Sequence, residues 1–354
     1  MRIGMVLGCF APLHKGHMDL IMRAKKENDM CYVIVCGYDG DKGEPLLPLS
    51  KRYRYLKETF KNDPLVKVIY INDTELGIDQ SMSFSNWEKW LNKVYSKMDA
   101  KDAAQDKLWY VGELGYMKCL HNLDEDCIYV NRKELPISAT MIRNNPLKYW
   151  DYISPAFRKV YSHNILITGT ASEGKTTLTQ DIAKYFGIPY SEEMGRLRLE
   201  NTTKTDSELD FADFHYNIYE QNKANANNID SLSNHGIVIS DTDNLVTLMY
   251  AKQYAEEPNF ELDDEDYKAL YSIVKQQSKY IKWDKIFVLA PKGKFVDDGT
   301  RYMGHSSMES REKLFNSLTE LLKDFGFEYE ILNYGYYENF KKVKGYIEKL
   351  YEEN

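Results

Sequence analysis

Cysteine is sparse. The chain has five among 354 residues (Cys9, Cys31, Cys36, Cys119 and Cys127), an odd number with no CxxC spacing. A disulfide framework or a zinc site of the usual spacing is therefore not expected. No apolar run approaches the roughly 18–20 residues needed to cross a bilayer. The apolar start Arg2–Leu7 breaks at Gly8-Cys9-Phe10-Ala11-Pro12, too soon for the core of a signal peptide, so the expected setting is the cytoplasm, without a membrane. A basic surplus is also missing: 46 Lys+Arg stand against 54 Asp+Glu, a net charge of −8. That is not the footprint of a nucleic-acid binder, and no nucleic-acid partner is expected. Neither repeats nor low-complexity tracts occur, and no helix-turn-helix pattern precedes the first strand at Met1-Arg2-Ile3.

A hydrophobic content of 43% and a charged content of 28% describe a globular chain. Its length suits two domains of about 100–200 residues. Charge divides the same way. Residues 1–154 hold 22 basic and 21 acidic side chains, and residues 155–354 hold 24 and 33.

In the first half, β-type runs (Arg2–Leu7, Cys31–Cys36, Val66–Ile71, Leu108–Val111, Cys127–Val130) alternate with helical patterns at Gly16–Lys26, Ser50–Phe60, Ser85–Met98 and Ser138–Asn144. The second half restarts with a strand at Asn164–Thr168 and a helix from Gly174 to about Tyr185. Further strands are expected at Pro189–Ser191, Gly236–Ser240, Lys285–Leu289 and Glu328–Leu332, a long helix at Leu209–Asn228, and a loop over the acidic Glu256–Asp266. Both halves read as α/β, each a parallel sheet with flanking helices. The expected boundaries are 1–147, an aromatic linker at 148–163 packed between the domains, and 164–354.

Two motifs carry chemistry in the first half. Gly8-Cys9-Phe10-Ala11-Pro12-Leu13-His14-Lys15-Gly16-His17 follows a strand and opens a helix. Gly8 permits close backbone approach, Cys9 reads as a tolerated small residue, and the helix N-terminus suits phosphate. His14 and His17, three apart, can face one ligand. In adenylyl transfer the attacking phosphate is already ionised, so holding reactants in line and neutralising charge suffice. The second motif, Ile137-Ser138-Ala139-Thr140-Met141-Ile142-Arg143, places Ser138 as an N-cap. Ser138 and Thr140 could cradle an anion, with Arg143 suited to a departing pyrophosphate.

The second half opens with Gly169-Thr170-Ala171-Ser172-Glu173-Gly174-Lys175-Thr176, a complete G-x-x-x-x-G-K-[ST] loop between a strand and a helix. Gly169, Glu173, Gly174 and Thr177 belong to the nucleotide cradle. Lys175 would reach the β/γ oxygens, and Thr176 would hold Mg²⁺. Val238-Ile239-Ser240-Asp241 is an apolar strand ending in a carboxylate, which makes Asp241 the metal-side acid, with Asp243 close by. Glu193, beside Arg196, is the preferred base for a substrate hydroxyl, and Asp241 is the alternative. Val296-Asp297-Asp298-Gly299-Thr300-Arg301 reads as a lid whose Arg301 contacts phosphate.

Together the two halves resemble the bifunctional nicotinamide-nucleotide adenylyltransferase/ribosylnicotinamide kinase family (NadR-type), without the helix-turn-helix domain of its repressor members. GxFxPxHxGH and ISxTxIR are its nucleotidyltransferase signatures. Met194-Gly195-Arg196, Asp241-Thr242-Asp243 and Val296-Asp297-Asp298-Gly299-x-Arg301 sit in the kinase half as the family has them. The P-loop departs from the family's by placing Glu173 near the phosphates. The resemblance implies ATP and Mg²⁺ as cofactors. It implies phosphorylation of nicotinamide riboside to nicotinamide mononucleotide, then adenylyl transfer giving NAD and pyrophosphate. Trp87 and Trp90 become candidates to stack on the nicotinamide ring, with core packing as the competing reading. Arg52, like Arg54, becomes a candidate phosphate contact, with a surface salt bridge as the competing reading. Phe10, Arg196 and Asp243 join the binding set. A nucleotide or NAD sensor with one active domain, a different kinase/adenylyltransferase pair, and a homo-oligomer stay open.

Overall fold

The structure, a computed structural model, describes residues 1–79, 83–131, 136–200, 204–292, 295 and 306–353. They form two compact units, Met1–Tyr161 and Ser162–Glu353.

The first unit runs β1 (Arg2–Gly8), α1 (Lys15–Lys26), β2 (Met30–Gly37), α2 (Leu49–Thr59), β3 (Val66–Asn72), α3 (Phe84–Lys97), α4 (Ala100–Ala103), β4 (Asp106–Val111), α5 (Leu114–His121), β5 (Cys127–Tyr129), α6 (Ala139–Asn144) and α7 (Pro155–Arg158). The strands pair in parallel in the order β3-β2-β1-β4-β5. They are apolar along their length because helices cover both faces. On one face Ile3, Met5, Tyr32, Ile34 and Trp109 pack under α3. On the other, Val6, Val33, Val35 and Tyr110 pack under α1, α2 and the segment Trp150–Tyr161. The alternation follows the two-residue period of a strand. The order reverses between β1 and β4, so the mouth at their carboxyl ends is where ligands of such sheets bind.

The second unit runs β6 (His163–Gly169), α8 (Lys175–Phe186), β7 (Tyr190–Ser191), α9 (Met194–Glu200), α10 (Phe211–Ile229), β8 (Ile237–Asp241), α11 (Asn244–Ala255), α12 (Asp264–Ser278), β9 (Lys285–Leu289), α13 (Met308–Asp324), β10 (Glu330–Leu332) and α14 (Tyr336–Glu353). Its sheet is also parallel, in the order β10-β9-β6-β8-β7. Here the reversal falls between β6 and β8, which carry the P-loop and Asp241. The acidic stretch expected as a loop becomes helical from Asp264. Asp263 caps α12 and Asp266 reaches back to the cap's backbone N–H, so the acids form a capping box. No helix among the described residues is long and apolar enough to cross a membrane.

Candidate active sites

The first site grows from the loop between β1 and α1. His14 caps α1, and its carbonyl accepts from the backbone N–H groups of His17 (2.9 Å) and Met18 (3.0 Å). The imidazoles of His14 and His17 stack, with centroids 3.8 Å apart and planes at 28°. Phe10 meets His17 edge-on at 5.0 Å, from a buried position over Gly8 and with a backbone φ of 48°. Gly16 leaves room for the stack. A Cβ there would stand 3.2 Å from His14 Cε1 and 3.3 Å from His14 Nδ1, so the ring would have to give by a few tenths of an ångström.

Arg143 joins the second motif to the first. Its Nη1 donates to the Ala11 carbonyl at 2.6 Å and its Nη2 to Thr140 Oγ1 at 3.0 Å. Ser138 caps α6, accepting from the Met141 N–H at 3.2 Å. Ser138 and Thr140 are exposed, so this side of the loop is open.

Arg52 lies on the other side of the same loop, without surface exposure. Its Nη2 pairs with Asp41 at 2.7 Å and its Nη1 donates to the Cys9 carbonyl at 2.9 Å. Both the phosphate-contact and the surface-pair readings give way to a buried ion pair that holds the loop from beneath. Trp90 is 7% exposed and packs in the core against Trp109. Trp87, half-buried, lies between Trp90 and Tyr116 with centroids 5.6 Å from each. The aromatic segment expected as a packed linker forms a strap on the first unit. Ser154 N–H donates to the Leu13 carbonyl at 3.0 Å, and Ile153 bridges to His14. Trp150, Ile153 and Phe157 are buried beneath it. Their aromatic and apolar character was the available signal.

The second site is built at the ends of β6 and β8. Gly174, with a φ of 81°, caps α8 in the left-handed region that glycine tolerates. Gly169 lies so close to β9 that a Cβ would stand 2.8 Å from the Leu289 carbonyl oxygen. Lys175 Nζ donates to the Thr170 carbonyl of its own loop at 2.9 Å. Thr176 Oγ1 donates to Asp241 Oδ2 at 2.6 Å, while Thr177 faces solvent. Burial, then the nearby charge of Glu193, raises the Asp241 carboxyl to about 6. Thr242 follows with a φ of 75°, a strained conformation for a β-branched residue of the kind that gathers at functional sites.

A cleft open to solvent adjoins these residues and is lined by Lys175, Glu193, Arg196, Asn217, Gln221 and Tyr250 among others. Apolar side chains around a few converging charged and amide groups suit a small-molecule ligand. Arg196 Nη2 stands 3.6 Å from Glu193 Oε2. Asp243 is turned elsewhere. Buried, it caps α11 by accepting from the Leu245 N–H at 3.3 Å, and burial raises its carboxyl to about 7. The P-loop carboxylate Glu173 is paired with Arg311 of α13 and accepts from the Lys292 N–H at 3.1 Å. Arg301 lies outside the described residues. Asn217 and Gln221 were not singled out from sequence, yet Asn217, Gln221 and Asn225 recur every four residues along the inner face of α10. Gln221 positions the loop before α9: its Oε1 accepts from the Met194 N–H at 2.9 Å and its Nε2 donates to the Glu192 carbonyl at 3.1 Å.

Comparison with known proteins follows the same division. The cytidylyltransferase-like family pattern matches residues 5–145, and an AAA-domain pattern matches residues 164–339. The fold and its two sites thus define a nucleotidyltransferase unit fused to a P-loop unit. The chain is similar to the trifunctional NAD biosynthesis/regulator protein NadR of Salmonella typhimurium, 27% identical over 342 residues that cover 93% of this chain and 78% of that protein. Two crystal structures of NadR proteins, one in complex with NR and one with NAD and AMP-PNP, superpose with TM-scores of 0.84 and 0.83. Each is 31% identical; the matches cover 98% and 99% of this chain and 96% of each of those chains. The chain belongs to the NadR family.

Proposed function

We propose that this chain makes NAD in two ATP-dependent steps, one in each unit. In the second unit, the 5′-hydroxyl oxygen of nicotinamide riboside attacks the γ-phosphorus of ATP, giving nicotinamide mononucleotide and ADP. Glu193 lines the cleft and is the base that takes the hydroxyl proton, because Asp241 is already engaged by Thr176. Lys175 exchanges its bond to Thr170 for the β/γ oxygens, and Arg196 and Arg301 contact phosphate. The donor set fits Mg²⁺, since Asp241 Oδ1 is buried with no hydrogen-bond partner among the described residues, beside the Thr176 hydroxyl. When bound by Thr176 and Asp241, that ion supplies charge neutralisation at the phosphates.

In the first unit, a phosphate oxygen of the mononucleotide attacks the α-phosphorus of a second ATP, and pyrophosphate leaves. No strong base is required. His14 and His17 hold phosphate oxygens, Arg143 with Ser138 and Thr140 steadies the leaving group, and Trp87 offers a face to the cationic ring.

The observation that carries this reading is the coexistence of two assembled phosphate sites: Arg143 latched onto the first loop, and Thr176 bonded to Asp241 in the second. A single-tube assay tests it. Purified protein receives ATP, Mg²⁺ and nicotinamide riboside, and products are followed by chromatography. NAD appearing after the mononucleotide is the expected result. Mononucleotide without NAD removes the first step, and neither product removes the substrate assignment.

A further inference from the structure

Cys9 and Cys36 lie at the carboxyl ends of adjacent parallel strands. β1 and β2 pair in register up to Gly8↔Val35, so the next residues are Cys9 and Cys36. Both are half-buried. Arg52 Nη1 donates to both of their carbonyls, at 2.9 and 3.5 Å. Neighbouring strands stand about 4.8 Å apart, inside the roughly 4.4–6.8 Å between Cα atoms that a disulfide spans. The described residues show no third His, Cys, Asp or Glu grouped with the pair as a metal site would require.

We propose that Cys9 and Cys36 are a modification site, a thiol pair that a peroxide converts to a disulfide and that thereby controls adenylyl transfer but not phosphorylation. The thiolate of Cys9 attacks the peroxide oxygen, giving a sulfenic acid and one water. The Cys36 thiol then attacks that sulfur and expels a second water, so two thiols are oxidised as one peroxide is reduced. The environment favours Cys9 as the attacker. The neighbouring Cys36 thiol first, then Lys42 and Arg52, draws it down to about 7, whereas burial pushes Cys31 up to about 12. Electropositive, partly exposed thiols are the reactive ones.

The consequence for activity rests on the proposed function. Cys9 stands between Gly8 and Phe10 in the first motif, and covalent closure draws the two sulfurs to bonding distance. The loop shifts toward β2, and displacements of about 1 Å at such sites cost up to about 100-fold. All five cysteines lie at or before Cys127, so the kinase unit has no thiol to oxidise and serves as an internal control.

The test treats the full chain with hydrogen peroxide, alkylates it and maps tryptic peptides. A cross-link between the Cys9 peptide and that of Cys36 is expected. That second peptide also carries Cys31, so Cys31→Ser should keep the link and Cys36→Ser should lose it. Adenylyl transfer from supplied mononucleotide should fall by about tenfold or more and recover with dithiothreitol, with phosphorylation unchanged. A missing cross-link, or one that survives Cys36→Ser, overturns the site. A cross-link with transfer unchanged, or with both reactions falling equally, overturns the control. Failure of the untreated protein to transfer adenylyl groups would count against the proposed function instead, because the mapping reads the thiols independently.

Discussion

Glu173 of the P-loop and Arg311 of α13 form an ion pair whose side chains are each 3% exposed. An acid in that position sets a negative charge where phosphates are to bind, and the guanidinium offsets it. Removing one partner of a buried pair leaves the other charge without compensation, which costs about 3–5 kcal/mol. Arg311→Ala should therefore lower the unfolding midpoint of the second unit by roughly ten degrees and raise KM for ATP in phosphorylation. Replacing both partners, Glu173→Ser with Arg311→Met, should recover most of the midpoint. Calorimetry reads both variants, and an unchanged midpoint in Arg311→Ala would show that the pair contributes nothing.

The two sites are predicted to fail separately. Lys175→Ala should abolish phosphorylation while leaving adenylyl transfer from supplied mononucleotide intact. His17→Ala should do the reverse, lowering transfer by about 100- to 1000-fold, as loss of one donor to a developing charge does elsewhere. Initial rates for each half-reaction, with circular dichroism to confirm the fold, decide the matter. Joint loss in either variant would refute two independent sites.

Asp73, just beyond β3, should make the first unit's stability depend on pH. Burial first, and then the charge of Asp41, raises its carboxyl to about 6; its Oδ1 is buried without a hydrogen bond among the described residues. In the unfolded chain it titrates near ~4. Between those values the folded state binds the extra proton, so this contribution is present below about pH 4 and is lost as pH rises through about 6. Asp73→Asn removes the titration. Its advantage over the parent should be small at about pH 4 and complete above about pH 7, as measured by urea unfolding. A constant difference across that range would contradict the assignment.

The sheets were legible because alternating strand and helix patterns allow few other arrangements, and the motif residues His14, His17, Arg143, Lys175, Thr176 and Asp241 fall where strands end. Arg52 was harder. An arginine for phosphate and an arginine for a buried carboxylate look the same in one dimension, and only folding of the Asp41 loop over α2 separates them. Trp90 shares that ambiguity, since core and ligand both favour its ring. Arg311 carries no local signal at all, because its partner lies 138 residues earlier. The Asn217, Gln221, Asn225 stripe, by contrast, was readable. Amides spaced by four beside the apolar Phe214 and Ile218 mark a buried polar seam.

The strap from Ile153 and Ser154 to His14 and Leu13 orders events during synthesis. The first motif leaves the ribosome early, but the backbone hydrogen bond that pins it comes from residues about 140 positions later. The adenylyl-transfer site therefore cannot mature piecemeal as its strands emerge. It is completed only when the end of its unit returns to the beginning, and a fragment cut at Pro146 would keep the Arg52 and Arg143 bonds to its loop but lack the strap at Leu13 and His14.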